Sequence, residues 1–158
     1  MENLIFRNVK EEDLSYLDEI REGKLHPLHL KRIKQQEKGL AEYIIVFKGA
    51  IPVGHVFINY NSLQEWHECS VLEDLYVRES ERRKGYAKII LKYVEKKVKK
   101  KGHKVVGLDV ESHEDWIQEF YESFGYKKLG GSHKLVYSSG EDGLKKVTEI
   151  VYHLRKVL

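Results

Sequence analysis

Apolar and polar positions change period several times along the chain, and each change marks an element. Leu4 to Val9 reads as a first strand. Lys10-Glu11-Glu12-Asp13 then puts acidic residues into the first turn of a helix that carries Leu14, Leu17 and Ile20 inward and ends near Gly23. A second helix is predicted from about Leu28 to Lys38, with Leu28, Leu30 and Ile33 as its apolar side and Gly39 as its stop. Glu42 to Phe47 and Ile51 to Tyr60 read as antiparallel strands around Lys48-Gly49-Ala50, and Gly54 marks a bulge or close packing in the second. Asn61 to Cys69 is a polar link into the central stretch.

That stretch organises the rest. Val71, Leu72, Leu75, Tyr76 and Val77 form a short strand that breaks abruptly into the cations Arg82, Arg83 and Lys84. Gly85 and Ala87 then remove side-chain bulk, and Ile89, Ile90, Leu91, Tyr93, Val94 and Val98 follow helical spacing until Gly102. Lys104 to Val110 is apolar again, which completes a strand-helix-strand unit and predicts one parallel pair within a mixed sheet. Trp116, Ile117, Phe120, Tyr121 and Phe124 fall along a helix from Glu114 to Phe124 capped by Gly125. Tyr126 begins a strand, His133 to Tyr137 is another, Ser138 to Gly143 is a loop, and Val147 to about Leu154 is the closing strand.

The 158 residues suit one domain, 1–158, with a sizeable core, and 41% hydrophobic with 34% charged is ordinary for a soluble protein. A net charge of +3 does not by itself indicate nucleic acid. Cys69 is the only cysteine, so an internal disulfide and a cysteine-rich metal site are excluded and the cytoplasm is the expected compartment. The first residues do not read as a secretory leader, and no apolar run is long enough to span a bilayer.

A strand running into a basic turn at a helix N-terminus favours a phosphate group: amides in the first turn, the positive end of the helix dipole and a glycine that admits a ligand act together. Arg82-Arg83-Lys84-Gly85-Tyr86-Ala87 resembles the Arg/Gln-x-x-Gly-x-Gly/Ala motif of the GNAT (Gcn5-related N-acetyltransferase) superfamily, preceded by the Leu75-Tyr76-Val77 end of its central strand. Gln118 to Tyr126 is similar to a second signature, x-x-Phe/Leu-Tyr-x-x-x-Gly-Phe/Tyr, centred on Tyr121. The resemblance implies an α/β (α+β) fold with a mixed, mainly antiparallel sheet flanked by helices on both faces. It implies acetyl-CoA as cosubstrate, with amides around Arg83 to Lys88 on its diphosphate and the backbone of Leu75, Tyr76 and Val77 pairing with its pantetheine arm. At two further cofactor positions Glu114 and Ile117 stand where the family usually has Asn and Ala. Homodimers are frequent in the family, and no metal is required.

Transfer of acetyl from a thioester to an amine needs an uncharged amine, a stabilised oxyanion and a proton for the leaving thiolate. By the resemblance Tyr121 is the general acid. Glu73 and Asp74 are the candidate bases; strand alternation sends them to opposite faces, and Glu73 is favoured. The backbone N–H of Tyr76 or a neighbour is a candidate for the oxyanion. Leu72 to Val77 is also similar to the central strand of diamine (spermidine/spermine-type) acetyltransferases, whose acidic residues help hold a polyamine, so Glu73 and Asp74 are candidate acceptor contacts. Trp66, His67 and Glu68 are candidates for the acceptor cleft, His113 for a proton relay, and Lys88 or Lys92 for the adenosine phosphates. The Lys-rich run from Lys92 to Lys104 reads as a solvated helix face, so no nucleic-acid partner is expected. The acceptor is expected to be a small amine or polyamine; a protein lysine or N-terminus, or a silent acyl-CoA sensor, are the alternatives.

Overall fold

A computed structural model describes residues 3–23, 25–60, 69–139 and 144–158. Among the described residues seven strands form one sheet: β1 (Leu4–Asn8), β2 (Ala41–Lys48), β3 (Ile51–Asn59), β4 (Ser70–Val77), β5 (Val105–Glu111), β6 (Lys127–Ser139) and β7 (Lys145–Val157). Their spatial order is β1-β2-β3-β4-β5-β7-β6. Every pairing is antiparallel except β4 with β5, the pair predicted from the strand-helix-strand unit. Among the described residues four α-helices cover the sheet: α1 (Leu14–Ile20), α2 (His26–Glu37), α3 (Tyr86–Lys100) and α4 (Asp115–Glu122).

Two apolar clusters sit on opposite faces. On one, Ile90, Leu91, Val94 and Val98 of α3 pack on Val53, Ile58, Leu72, Val106 and Leu108, with Ile117, Phe120 and Tyr121 of α4 at the margin. Burying each aliphatic side chain of α3 contributes roughly 1.5–3 kcal/mol. On the other, Leu17 and Ile20 of α1 and Ile33 of α2 pack on Tyr43, Ile45, Phe47 and Phe57. The order of elements follows the sequence reading, with three differences. α2 begins at His26 because Pro27 is tolerated in a first turn, and its buried side is His29, Arg32 and Ile33 rather than Leu28 and Leu30. The two strands expected after Tyr126 are one, β6, because Gly130-Gly131 is absorbed as a register shift between Leu129 and Ser132. β7 is longer than expected at both ends, and Ser138 lies inside β6 rather than in a loop.

The region between the two faces is set by an irregularity in β4. Phe57 pairs with Glu73 and His55 with Tyr76, so Asp74 and Leu75 oppose Val56 alone. The extra residue is accommodated by Asp74 at φ +55°, a left-handed conformation that L-residues other than glycine rarely adopt. The β4–β5 ladder ends at Leu72 opposite Leu108, although β4 runs on to Val77 and β5 to Glu111. Gly54 answers the close-packing expectation: a Cβ there would stand 2.8 Å from the Tyr76 carbonyl oxygen and 3.1 Å from Ile90 Cδ1.

Candidate active site

The basic turn joins β4 to α3. A short 3-10 turn at Glu79–Glu81 is followed by Arg83 at φ +64° and Gly85 at φ +81°, and no side chain caps α3. The first amide to bond back along the helix is that of Ile89, to the Gly85 carbonyl at 3.3 Å, which leaves the amides of Ala87 and Lys88 at the helix mouth. Two cations of the turn brace it. Arg82 Nε donates to the Val77 carbonyl (2.9 Å) with its guanidinium 4.9 Å above the Tyr76 ring, and Lys84 Nζ binds Glu81 at 2.8 Å. Glu81 also takes Lys48 from β2 at 3.2 Å, and Tyr86 packs into the core. Arg83 is exposed, and Lys88 lies over the Phe124 ring at 5.6 Å. These features fit a diphosphate: positive-φ backbone, first-turn amides and exposed cations converge on one helix end.

Beyond the turn, Glu73 to Val77 of β4 and Asp109 to Glu111 of β5 have no ladder between them, and this interruption is the β4–β5 gap. Glu73 and Asp74 were expected on opposite faces, but the left-handed residue breaks the alternation. Glu73 stands opposite Phe57, which packs under α1 and α2, and Asp74 is bound by Arg21 at 2.6 Å and Arg32 at 2.9 Å on that same side. Burial pushes the Glu73 carboxyl up, partly offset by Arg32 and a hydrogen bond from Asn59, and the charges of Asp109 and Asp74 push it further. For Asp74 burial also acts upward, yet His55, Arg32 and Arg21 hold it down at about 2. Glu73 therefore holds a proton more readily than an ordinary carboxyl, and its neighbour Asp74 is a fixed anion.

Tyr121 approaches from the other face. It is half-buried on α4, edge-on to Phe120 (5.1 Å) and Tyr126 (5.5 Å). Burial, and after it the Asp74 charge, lifts its phenol to about 12, so it carries its proton at neutral pH. Ile117 packs against the same cluster, and Glu114 opens α4 by accepting the amides of Ile117 and Gln118 through its carbonyl.

Residues that the sequence reading did not single out form the floor beneath β4. His29 Nδ1 meets the Tyr43 hydroxyl at 2.7 Å, Arg32 lies over the Tyr43 and Phe57 rings, and His55 stacks on Tyr76 at 5.8 Å. Burial holds both histidines near 4, hence neutral. The available signal was the spacing of His29 and Arg32 with Ile33, which places polar groups on the inward face of α2. At the far end of β5, Glu111, His113 and Glu114 bring possible ligand atoms within 4.8 Å of one another, and a hydrogen bond with Glu149 raises the Glu111 carboxyl. His113 is exposed and pairs with Glu111 at 3.0 Å, away from the buried groups of the gap. Trp66, His67 and Glu68 lie outside the described residues.

Comparison with known proteins bears on this arrangement directly. Solved structures similar in fold include the PaiA N-acetyltransferase of Thermoplasma acidophilum in complex with coenzyme A (18% identity, TM-score 0.73, 99% of each chain covered). The ribosomal-protein-S18-alanine N-acetyltransferase of Escherichia coli aligns at 14% identity and TM-score 0.73, over 98% of this chain and 94% of that one. A chimeric spermidine N-acetyltransferase SpeG from Vibrio cholerae aligns at 15% and 0.71, again over 98% and 94%. No protein of curated function gives a significant match. The Acetyltransferase (GNAT) family matches residues 7–126, a span that holds the β4 bulge, the basic turn and Tyr121; the chain belongs to the GNAT acetyltransferases.

Proposed function

We propose that this enzyme is a cytoplasmic, single-domain N-acetyltransferase that moves acetyl from acetyl-CoA directly to a primary amine, with small amines and polyamines as the leading acceptors. The observation that carries the reading is the basic, positive-φ turn at the mouth of α3, next to a β4 edge that has left the β5 ladder. The diphosphate is assigned to the amides at the α3 mouth with Arg83 and Lys88, and the pantetheine arm to the β4 edge at Leu75, Tyr76 and Val77. Arg82, Lys84, Gly85, Tyr86 and Ala87 shape that turn, while Glu114 and Ile117 set the position of α4 beside the cofactor.

In this mechanism Glu73 takes a proton from the acceptor ammonium, directly or through water. The amine nitrogen attacks the thioester carbonyl carbon, and the oxyanion is met by a β4 amide such as that of Tyr76. As the C–S bond breaks, the Tyr121 hydroxyl gives its proton to the sulfur. CoA leaves as a thiol, the nitrogen gives up its second proton to the Tyr121 phenolate, directly or through water, as the acetamide forms, and the proton held by Glu73 returns to solvent.

A cationic acceptor is supported by the face on which Glu73 lies. Strand alternation carries Asp109 and Glu111 of β5 onto the same face, and Glu149 hydrogen-bonds Glu111 there. Asp74 contributes to the field but its charge is already matched by Arg21 and Arg32. CoA release measured across polyamines, aminoglycosides, amino acids and peptides, with wild type and Tyr121→Phe side by side, tests the reading. Turnover on diamines that is lost in the variant is the expected result. Turnover confined to peptides would assign a protein acceptor, and binding of acetyl-CoA without any turnover would assign a sensor.

A further inference from the structure

The bulge in β4 has an identifiable cause. A left-handed aspartate in a strand is unfavourable by itself, since the side chain crowds the backbone. Here the carboxylate is gripped from two helices: Arg21, the residue that ends α1, at 2.6 Å to one oxygen, and Arg32 of α2 at 2.9 Å to the other. Arg32 is only 8% exposed, and its guanidinium is boxed in by Tyr43 and Phe57 at 5.3 and 5.4 Å, so its position is fixed by the core. Arg21 also covers the Tyr76 ring at 5.0 Å, with His55 stacked on the same ring and fully buried. Two residues before the gripped aspartate the β4–β5 ladder stops. A bulge bends the strand that bears it and increases its twist, which is the geometry needed for two parallel neighbours to part.

We propose that Arg32, assisted by Arg21, is a positioning residue of the transferase. By binding the Asp74 carboxylate it holds that residue in the left-handed conformation, swings β4 away from β5 and opens the Leu75–Val77 edge. The proposal rests on the reading of that edge as the pantetheine seat. It makes Asp74 valuable for its shape and its pairing, not as an acceptor contact or a base, and it makes two helices on the acceptor side responsible for the cofactor edge.

The test is a series at residue 74 combined with Arg32→Leu, read as kcat and KM for acetyl-CoA and as amide hydrogen exchange at Leu75–Val77 without cofactor. Asn tolerates the left-handed region but offers one acceptor oxygen where Asp74 offers two, so Asp74→Asn keeps the conformation, loses one guanidinium contact and falls less in kcat/KM than Asp74→Ala. Asp74→Ala loses about tenfold or more in kcat/KM, mainly through KM for acetyl-CoA, because alanine resists that conformation. Arg32→Leu costs about tenfold beside Asp74 but under about threefold beside Asp74→Gly, where glycine takes the conformation unaided and no buried carboxylate is orphaned. Exchange at Leu75–Val77 quickens in Arg32→Leu and in Asp74→Ala only.

Equal damage from Asp74→Asn and Asp74→Ala would overturn the proposal, since charge rather than shape would then matter. So would an Arg32→Leu cost that is the same beside Asp74 and Asp74→Gly. If Arg32→Leu does not fold, the Asn, Ala and Gly variants decide alone by the same criteria. A wild type that does not bind acetyl-CoA would overturn the pantetheine seat, and with it the catalytic part of the proposal; unchanged exchange in Asp74→Ala would overturn the clamp itself.

Discussion

Tyr121 and Asp74 belong to different elements, α4 and β4, yet the Asp74 charge adds to burial in lifting the Tyr121 phenol to about 12. The pairing matters because Asp74, at about 2, remains an anion throughout the working range of pH. A permanent negative charge opposes the ionisation of a phenol, so Tyr121 stays protonated, as the acid role proposed for it requires. The energy that keeps Asp74 charged comes in turn from Arg21 and Arg32.

Tyr121→Phe therefore removes the proposed acid while keeping the ring that packs against Phe120 and Tyr126. The kcat should fall by roughly 10²–10⁴-fold, the usual worth of a positioned acid or base, with the affinity for acetyl-CoA little changed. Steady-state CoA release together with calorimetric titration of acetyl-CoA separates the two quantities. A variant with wild-type kcat would remove Tyr121 from the mechanism.

Glu73 carries a raised pKa, so wild-type kcat/KM should decline as pH falls through that value, where the protonated carboxyl can no longer accept from the ammonium. Glu73→Gln should lower the rate at neutral pH and abolish that acid limb, leaving only the titration of the acceptor itself. A full pH profile of both proteins on one amine is the check; an identical acid limb in the variant would assign it to another group.

Much of this arrangement is legible in the chain and part of it is not. The β4–turn–α3 unit reads directly, because strand residues, cations, glycine and a helical stripe follow one another within Val71 to Val98 and each signal is local. Periodicity places Tyr121 on the apolar helix, and its candidate role is what the resemblance implies. The left-handed Asp74 is not, since nothing in Glu73-Asp74-Leu75 breaks the strand pattern. Its conformation is imposed by partners 53 and 42 residues earlier in the chain. The same distance effect hid the inward face of α2, where His29 and Arg32 occupy sites that a periodicity argument reserves for leucine. The merging of β6 was obscured by Gly130-Gly131, which reads as a break and functions as a bulge.

Gly54→Ala tests how tightly β3 carries the bulge. The added carbon would lie 2.8 Å from the Tyr76 carbonyl oxygen, a backbone atom, so β4 must shift rather than a side chain rotate. The expected loss is about 1–3 kcal/mol, the range for overpacking a dense core. Urea unfolding measures it, and the displaced Tyr76 should also raise KM for acetyl-CoA. An unchanged urea midpoint would mean that the strands can part there without cost.

Acid should weaken the fold in two stages. His29 and His55 ordinarily titrate near 6.5 and are held near 4 in the fold by burial, so above 6.5 both states leave them neutral and they have no effect. Between 6.5 and 4 the unfolded chain takes protons that the fold refuses, and stability falls as pH falls, by up to about 3 kcal/mol for each ring. Asp74 acts lower: its folded pKa of about 2 is depressed from 3.8, so its stabilisation is complete above 3.8 and is lost as pH falls towards 2. That stage is worth about 2 kcal/mol. His55 is fully buried, and neither ring nitrogen has a hydrogen-bond partner among the described residues, so His55→Leu should fold well at pH 7 and flatten the first stage while leaving the second intact. Urea midpoints measured from pH 7 to pH 3 decide the matter, and parallel curves for wild type and His55→Leu would show that this ring does not report the acid weakness of the fold.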